Sequence, residues 1–142
     1  MANITAKKMG MTQIWKNDKV IPVTILKVEE EASLEEGAVV VVRGITKGKG
    51  FQGVVKRHGF RGGPKSHGQK HSLRAPGSIG ATAPQRVIPG RRMAGRMGSD
   101  RKTLKNVRIE GINKEERTLF VKGPVPGARG SKVEIIIMDQ HE

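Results

Sequence analysis

Short runs of β-branched residues, separated by polar or glycine- and proline-containing turns, occupy both ends of this sequence. Such runs predict β-strands, because Val, Ile and Thr suit a pleated, half-buried surface. Four runs have this character: Val20–Val28, Ala38–Val42, Thr118–Val121 and Val133–Met138. A less regular strand is expected at Leu104–Ile109. Several short strands at this spacing are typical of a mainly β protein with a small barrel.

Turn signals separate these strands. Asn17-Asp18 and Asn113-Lys114 are typical of hairpin turns, since Asn and Asp tolerate the left-handed backbone. The segment Gly123–Gly127 reads Gly-Pro-Val-Pro-Gly and predicts a rigid connection.

The middle of the chain lacks such a pattern. From His58 to Arg101, Gly and Pro recur so often that no long regular element is expected. A structureless segment of roughly 40 residues is unusual in a compact domain and is either functional or disordered. We therefore predict an extended arm whose conformation is set by a binding partner.

Charge identifies the class of that partner. The chain of 142 residues has a net charge of +14, and Arg43 to Arg108 contains 17 Lys or Arg against one acid, Asp100. The remaining residues contain 10 bases and 12 acids, so the whole excess lies in one block. Such a block predicts a polyanionic partner, and a nucleic acid is the default.

Other classes of function are disfavoured. The sequence has no cysteine and no apolar run of about 18 residues, so disulfides, thiolate metal sites and membrane spans are not expected. Ser66, Ser72 and Ser78 lie near histidines, but Asp100 is the only acid in the block. No catalytic constellation is visible. We expect a cytoplasmic protein without enzymatic activity, cofactor or metal.

The segment Thr46–Gly53 resembles a phosphate-cradling loop, because glycine lets backbone amides approach phosphate oxygens and Lys47 and Lys49 add charge. It is not a nucleotide-binding P-loop, which requires Ser or Thr after the lysine. A solvated turn is the alternative. Phe51, Val54 and Val55 are expected to share one face of a short helix.

Two further groups suggest contact with nucleic acid. His58, His67 and His71 lack nearby carboxylates, so stacking on bases or bonding to phosphates is favoured over a metal site, with simple solvent exposure as the alternative. Arg91–Gly98 mixes guanidinium groups with glycines, which suits bidentate phosphate binding and close backbone approach. A cationic solubility patch is the alternative there.

Several sequence motifs, and the order in which they occur, resemble those of one family, large-subunit ribosomal protein L3 in its bacterial form. The matching segments are Lys7–Ile14, Val42–Gly53, Pro76–Gly80, Arg91–Gly98 and Val121–Gly127. One departure lies between Val28 and Ala38, where this chain has a short acidic linker and family members usually carry an inserted subdomain.

The resemblance implies a six-stranded β-barrel of the translation-protein type, formed by residues 1–45 and 104–142. Residues 46–103 would be a basic RNA-binding extension, with a short helix near residues 50–57. The extension's tip would reach toward the peptidyl transferase centre and consists of Ile79, Gly80, Ala81, Thr82, Ala83, Pro84 and Gln85.

The expected function is that of a structural constituent of the large subunit, acting early in its assembly. Large-subunit ribosomal RNA and neighbouring ribosomal proteins are the expected partners, without a membrane, a small-molecule substrate or self-association. The candidate RNA-binding residues are Lys7, Lys8, Lys47, Lys49, Lys56, Arg57, His58, Arg61, Lys65, His67, Lys70, His71, Arg74, Arg86, Arg91, Arg92, Arg96 and Arg101. A nonspecific DNA-compacting protein and an enzyme acting on RNA are the competing hypotheses.

Overall fold

The computed structural model describes residues 3–29 and 34–137. Its elements are β1 (Asn3–Lys16), β2 (Lys19–Val28), β3 (Val39–Ile45), β4 (Phe51–Gln52), α1 (Val54–His58), β5 (Gly95–Arg96), β6 (Arg101–Asn113), β7 (Thr118–Lys122) and β8 (Lys132–Ile137). The chain divides into two compact units. We call residues 1–47 and 99–142 the sheet unit, and residues 48–98 the basic unit.

The sheet unit contains one antiparallel sheet of six strands. Their order is β1-β2-β7-β6-β3-β8, and β8 also pairs with β1, so that the sheet closes on itself. The prediction of a mainly β protein with six strands is confirmed.

Alternation along the strands builds the core of the sheet unit. On each strand, residues two apart point to the same face, as Leu26 and Val28 do on β2 and Val133 and Ile135 on β8. Burying one such side chain stabilises the fold by about 1.5–3 kcal/mol. The buried apolar side chains of this cluster are Ile4, Ala6, Leu26, Val28, Val40, Val42, Val107, Ile109, Leu119, Val121, Val125, Val133 and Ile135.

Strand β1 is absent from the sequence prediction. The adjacent Lys7 and Lys8 obscure its alternation, and the register shifts between Lys8 and Gly10. The predicted strand at Leu104–Ile109 is confirmed, but β6 is longer than predicted and spans Arg101–Asn113. Pairing with β3 extends it over polar residues such as Arg101 and Lys102. The last predicted strand is confirmed as far as Ile137, and Met138 lies outside the described residues.

The predicted turns are confirmed where they connect these strands. Asn17 and Asp18 have φ values of 49° and 59°, which suit a tight hairpin turn between β1 and β2. The side-chain oxygen of Asn113 accepts hydrogen bonds from the N–H groups of Glu115 and Glu116, which closes the turn before β7.

Candidate nucleic-acid interface

The basic unit combines high charge with little burial. Residues 48–98 contain eleven Lys or Arg and no acid, and within this range Val54 is the only buried residue. Glycine and proline interrupt the chain so often that only α1 and the paired β4 and β5 are regular. Most of the cationic side chains of the basic unit are therefore presented to solvent.

A two-stranded pair forms one end of this unit. Phe51 and Gln52 of β4 pair with Arg96 and Gly95 of β5. The N–H of Lys49 donates to the carbonyl of Met97 at 2.9 Å, which continues the pairing beyond the strands. These backbone bonds place Lys49 and Arg96 on a defined scaffold.

Phe51 corrects one sequence prediction, because it does not share a helical face with Val54 and Val55. Helix α1 begins at Val54, and its N-cap Gly53 has extended backbone angles of −71° and 167°. This extended residue separates Phe51 from the helix, and its ring is 76% exposed on β4. Val54 alone is buried.

Helix α1 joins two distant parts of the basic unit. The Arg57 guanidinium donates to the carbonyl oxygen of Met93 at 2.8 Å, and His58 Nε2 lies 2.9 Å from the same oxygen. Gly95 leaves room for this arrangement, since a Cβ there would collide with the Arg57 guanidinium. Arg57 and His58 therefore hold the 93–95 segment against the helix.

A close backbone contact closes the loop of residues 64–71. The N–H of Gly63 points to the carbonyl oxygens of Ser72 and Leu73, at 3.2 and 3.1 Å. We call this contact the neck. The loop that the neck closes exposes four predicted RNA-binding residues to solvent: Lys65, His67, Lys70 and His71.

The predicted tip, residues 79–85, is exposed throughout. Arg91 donates to the carbonyl oxygen of Ser78 at 2.6 Å, which ties the chain just before the tip to the segment after it. The exposed cations Arg86 and Arg92 lie in the same segment as Arg91.

Four predicted RNA-binding residues belong to the sheet unit: Lys7, Lys8, Lys47 and Arg101. Lys8 is half-buried, and its ammonium donates to the carbonyls of Val125 and Gly127 at 2.6 and 3.0 Å. Burial, and then the charge of Lys47, lower the pKa of Lys8 below its usual 10.5. Lys8 thus ties β1 to the connection before β8, whereas Lys7, Lys47 and Arg101 are exposed.

Two exposed features fall outside the predicted set. Lys102, Lys105 and Arg108 are exposed on β6, and their place in the positive block was the signal that could have found them. Trp15 is 74% exposed beside its cross-strand partner Val20, which is 45% exposed. Exposure of this Trp was not predictable, because β1 itself was not predicted.

Comparison with known proteins identifies the family. The family model described as "Ribosomal protein L3" matches residues 6–133. The chain belongs to the ribosomal protein L3 family. A relative from Chlorobaculum parvum named "Large ribosomal subunit protein uL3" is 53% identical over 102 residues, covering 71% of this chain and 49% of the relative. One of that name from Bacillus mycoides is 50% identical over 113 residues, covering 78% of this chain and 53% of the relative.

The L3 chain described here spans about half the length of the curated relatives it matches. Within residues 3–29 and 34–137, no three His, Asp or Glu residues form a group that could hold a metal ion. The same part of the chain has no helix with the length and apolar character that a membrane crossing requires.

Proposed function

We propose that this protein is a structural component of the large ribosomal subunit and that its basic unit binds large-subunit ribosomal RNA. One observation carries the proposal: in a chain of the L3 family, residues 48–98 contain eleven Lys or Arg and no acidic residue. Lysine and arginine bind phosphates directly, and the release of counterions from the RNA drives association.

The two units would divide the work. The closed sheet, which we propose to be a barrel of the translation-protein type, gives a stable platform with few surplus charges. Residues 46–103 would form the extension, and its backbone bonds at β4–β5 and at the neck support an RNA-binding role by fixing where cations are presented. Exposed cations outside the extension, such as Lys7, would add contacts from the barrel surface.

The tip at residues 79–85 would reach toward the peptidyl transferase centre. Its exposed, mostly small residues could pass between RNA helices where larger side chains would not fit. Neighbouring ribosomal proteins would be further partners, in the cytoplasm, and the role is early assembly of the subunit rather than catalysis.

Competition between RNA and DNA tests this function. The full chain is bound to a labelled transcript of large-subunit ribosomal RNA, and unlabelled transcript or duplex DNA of equal length is added. The proposal expects the RNA to compete at concentrations at least about tenfold lower, since α1 has only five residues and β4 and β5 only two each, too short to fill a duplex groove. Equal competition would favour nonspecific DNA compaction instead.

A further inference from the structure

The basic unit contains a cavity of about 550 Å³ beside the neck. Residues 60–63, Ser72 and residues 75–77 line it. This volume is within the range of small-molecule sites, about 300–1,000 Å³.

Two glycines fix the position of this cavity. Gly62 has a φ of 76°, and a Cβ there would collide with the carbonyl oxygen of Leu73. A Cβ on Gly63 would lie 2.8 Å from the carbonyl oxygen of Ser72. Because glycine has no Cβ, the backbone at residues 62–63 can approach the backbone at residues 72–73 closely. This contact holds the walls of the cavity together.

The lining offers both a flat surface and polar groups. Phe60 is partly buried, and its ring centroid lies 5.9 Å from that of His58 at an interplanar angle of 45°. Ala75 and Pro76 add apolar surface, while Arg61 and Ser72 are lining residues with hydrogen-bonding groups. A nucleobase has the complementary form, with a π-face that stacks on an aromatic ring and edges that form hydrogen bonds.

We propose that this cavity holds one unstacked nucleobase of the bound RNA, stacked on Phe60. The inference rests on the proposed function and adds base recognition to phosphate binding. Charge supports this occupant, because Lys65, Lys70 and Arg74 flank the cavity in sequence and could contact the phosphates on either side of the base. A neutral apolar ligand would leave these cations unused.

The test compares two single-stranded probes that share a phosphate backbone. Fluorescence anisotropy measures how tightly the full protein chain binds two labelled probes. One probe is a hexamer of adenosine ribonucleotides, and the other is an abasic hexamer with the same sugar-phosphate backbone. The proposal expects the base-containing probe to bind about tenfold more tightly, as expected for stacking of one base. Equal affinities for the two probes would overturn the inference. If binding of both probes nevertheless weakened steeply with salt, the proposed RNA-binding function would survive without the base-binding cavity.

Three variants locate the effect. Phe60→Ala removes the stacking surface, and Ala75→Leu places a larger side chain on the cavity wall, where it obstructs a base, while leaving Phe60 in place. Both should abolish the tenfold preference and leave affinity for the abasic probe unchanged. Phe51→Ala is the matched control, since this ring lies in the same unit but outside the cavity lining.

The pattern among the variants decides the outcome. Loss of the preference in Phe51→Ala as large as that in Phe60→Ala would overturn the cavity as the site. Retention of the preference in Ala75→Leu, with an intact amide NMR spectrum, would overturn it too. Failure of the proposed function has a different signature, namely weak binding of both probes and of the large-subunit transcript.

Discussion

The sheet unit and the basic unit differ in how many side chains they bury and in how their charges balance. Leu26, Ile109 and Ile135 are fully buried in the sheet unit, whereas the basic unit buries Val54 alone. The sheet unit has sixteen Lys or Arg against thirteen acids, and the basic unit has eleven against none. Hydrophobic burial therefore stabilises the first, while the second relies on backbone contacts and, in our proposal, on RNA phosphates.

Truncating a buried side chain should give the largest difference between the units. Leu26→Ala in the sheet unit is expected to lower the free energy of unfolding by about 2–5 kcal/mol, because it leaves a cavity in a closed core. Leu73→Ala in the basic unit, where the side chain is 42% exposed, should change it by about 0.5 kcal/mol or less. Urea unfolding followed by circular dichroism measures both, and equal losses would refute the comparison.

Glycine substitutions sharpen the comparison within the basic unit. Gly62 and Gly68 have nearly equal φ values, 76° and 77°, so alanine costs about 1–2 kcal/mol of backbone strain at either site. Only Gly62→Ala also forces a collision, with Leu73. Amide hydrogen exchange at Gly63 should accelerate more in Gly62→Ala than in Gly68→Ala. The same acceleration in both would show that the neck is not closely packed.

Two buried threonines provide a smaller test inside the sheet unit. The Thr24 hydroxyl donates to the carbonyl of Gly123 at 2.6 Å, whereas the buried Thr118 hydroxyl has no hydrogen-bond partner. Thr24→Val should destabilise the protein by about 1 kcal/mol, and Thr118→Val should be neutral or stabilising. Thermal unfolding of the pair measures this. The reverse order would contradict the hydrogen-bond assignment.

The alkaline pH dependence of stability should show the smallest effect. Burial and the charge of Lys47 lower the pKa of Lys8 in the folded state, so the unfolded chain binds more protons between that pKa and 10.5. Lys8 therefore makes the unfolding free energy rise with pH in this window. Lys8→Met should lose the rise, and Lys27→Met, at an exposed site on β2, should keep it. Chemical denaturation across the window tests both.

The sequence predicted those strands that are rich in β-branched residues and whose turns carry Asn, Gly or Pro. The run Val20–Val28 predicted β2, whereas β1 has adjacent lysines and a bulge after Lys8 and was not predicted. The positive block was evident from charge alone. The neck and its cavity were not, since they depend on a backbone contact between Gly63 and Ser72 that no local pattern encodes.

The salt dependence of RNA binding tests the central proposal most directly. One variant combines Lys65→Gln, Lys70→Gln and Arg74→Gln in the basic unit, and its matched control combines Lys27→Gln, Lys114→Gln and Lys132→Gln at exposed sites of the sheet unit. Binding to the large-subunit transcript is measured at several salt concentrations. Each lost phosphate contact reduces the slope of log affinity against log salt by about 0.7–0.9. We predict a reduction of about 2 for the basic-unit variant and less than about 1 for the control; equal slopes in the two variants would contradict the account.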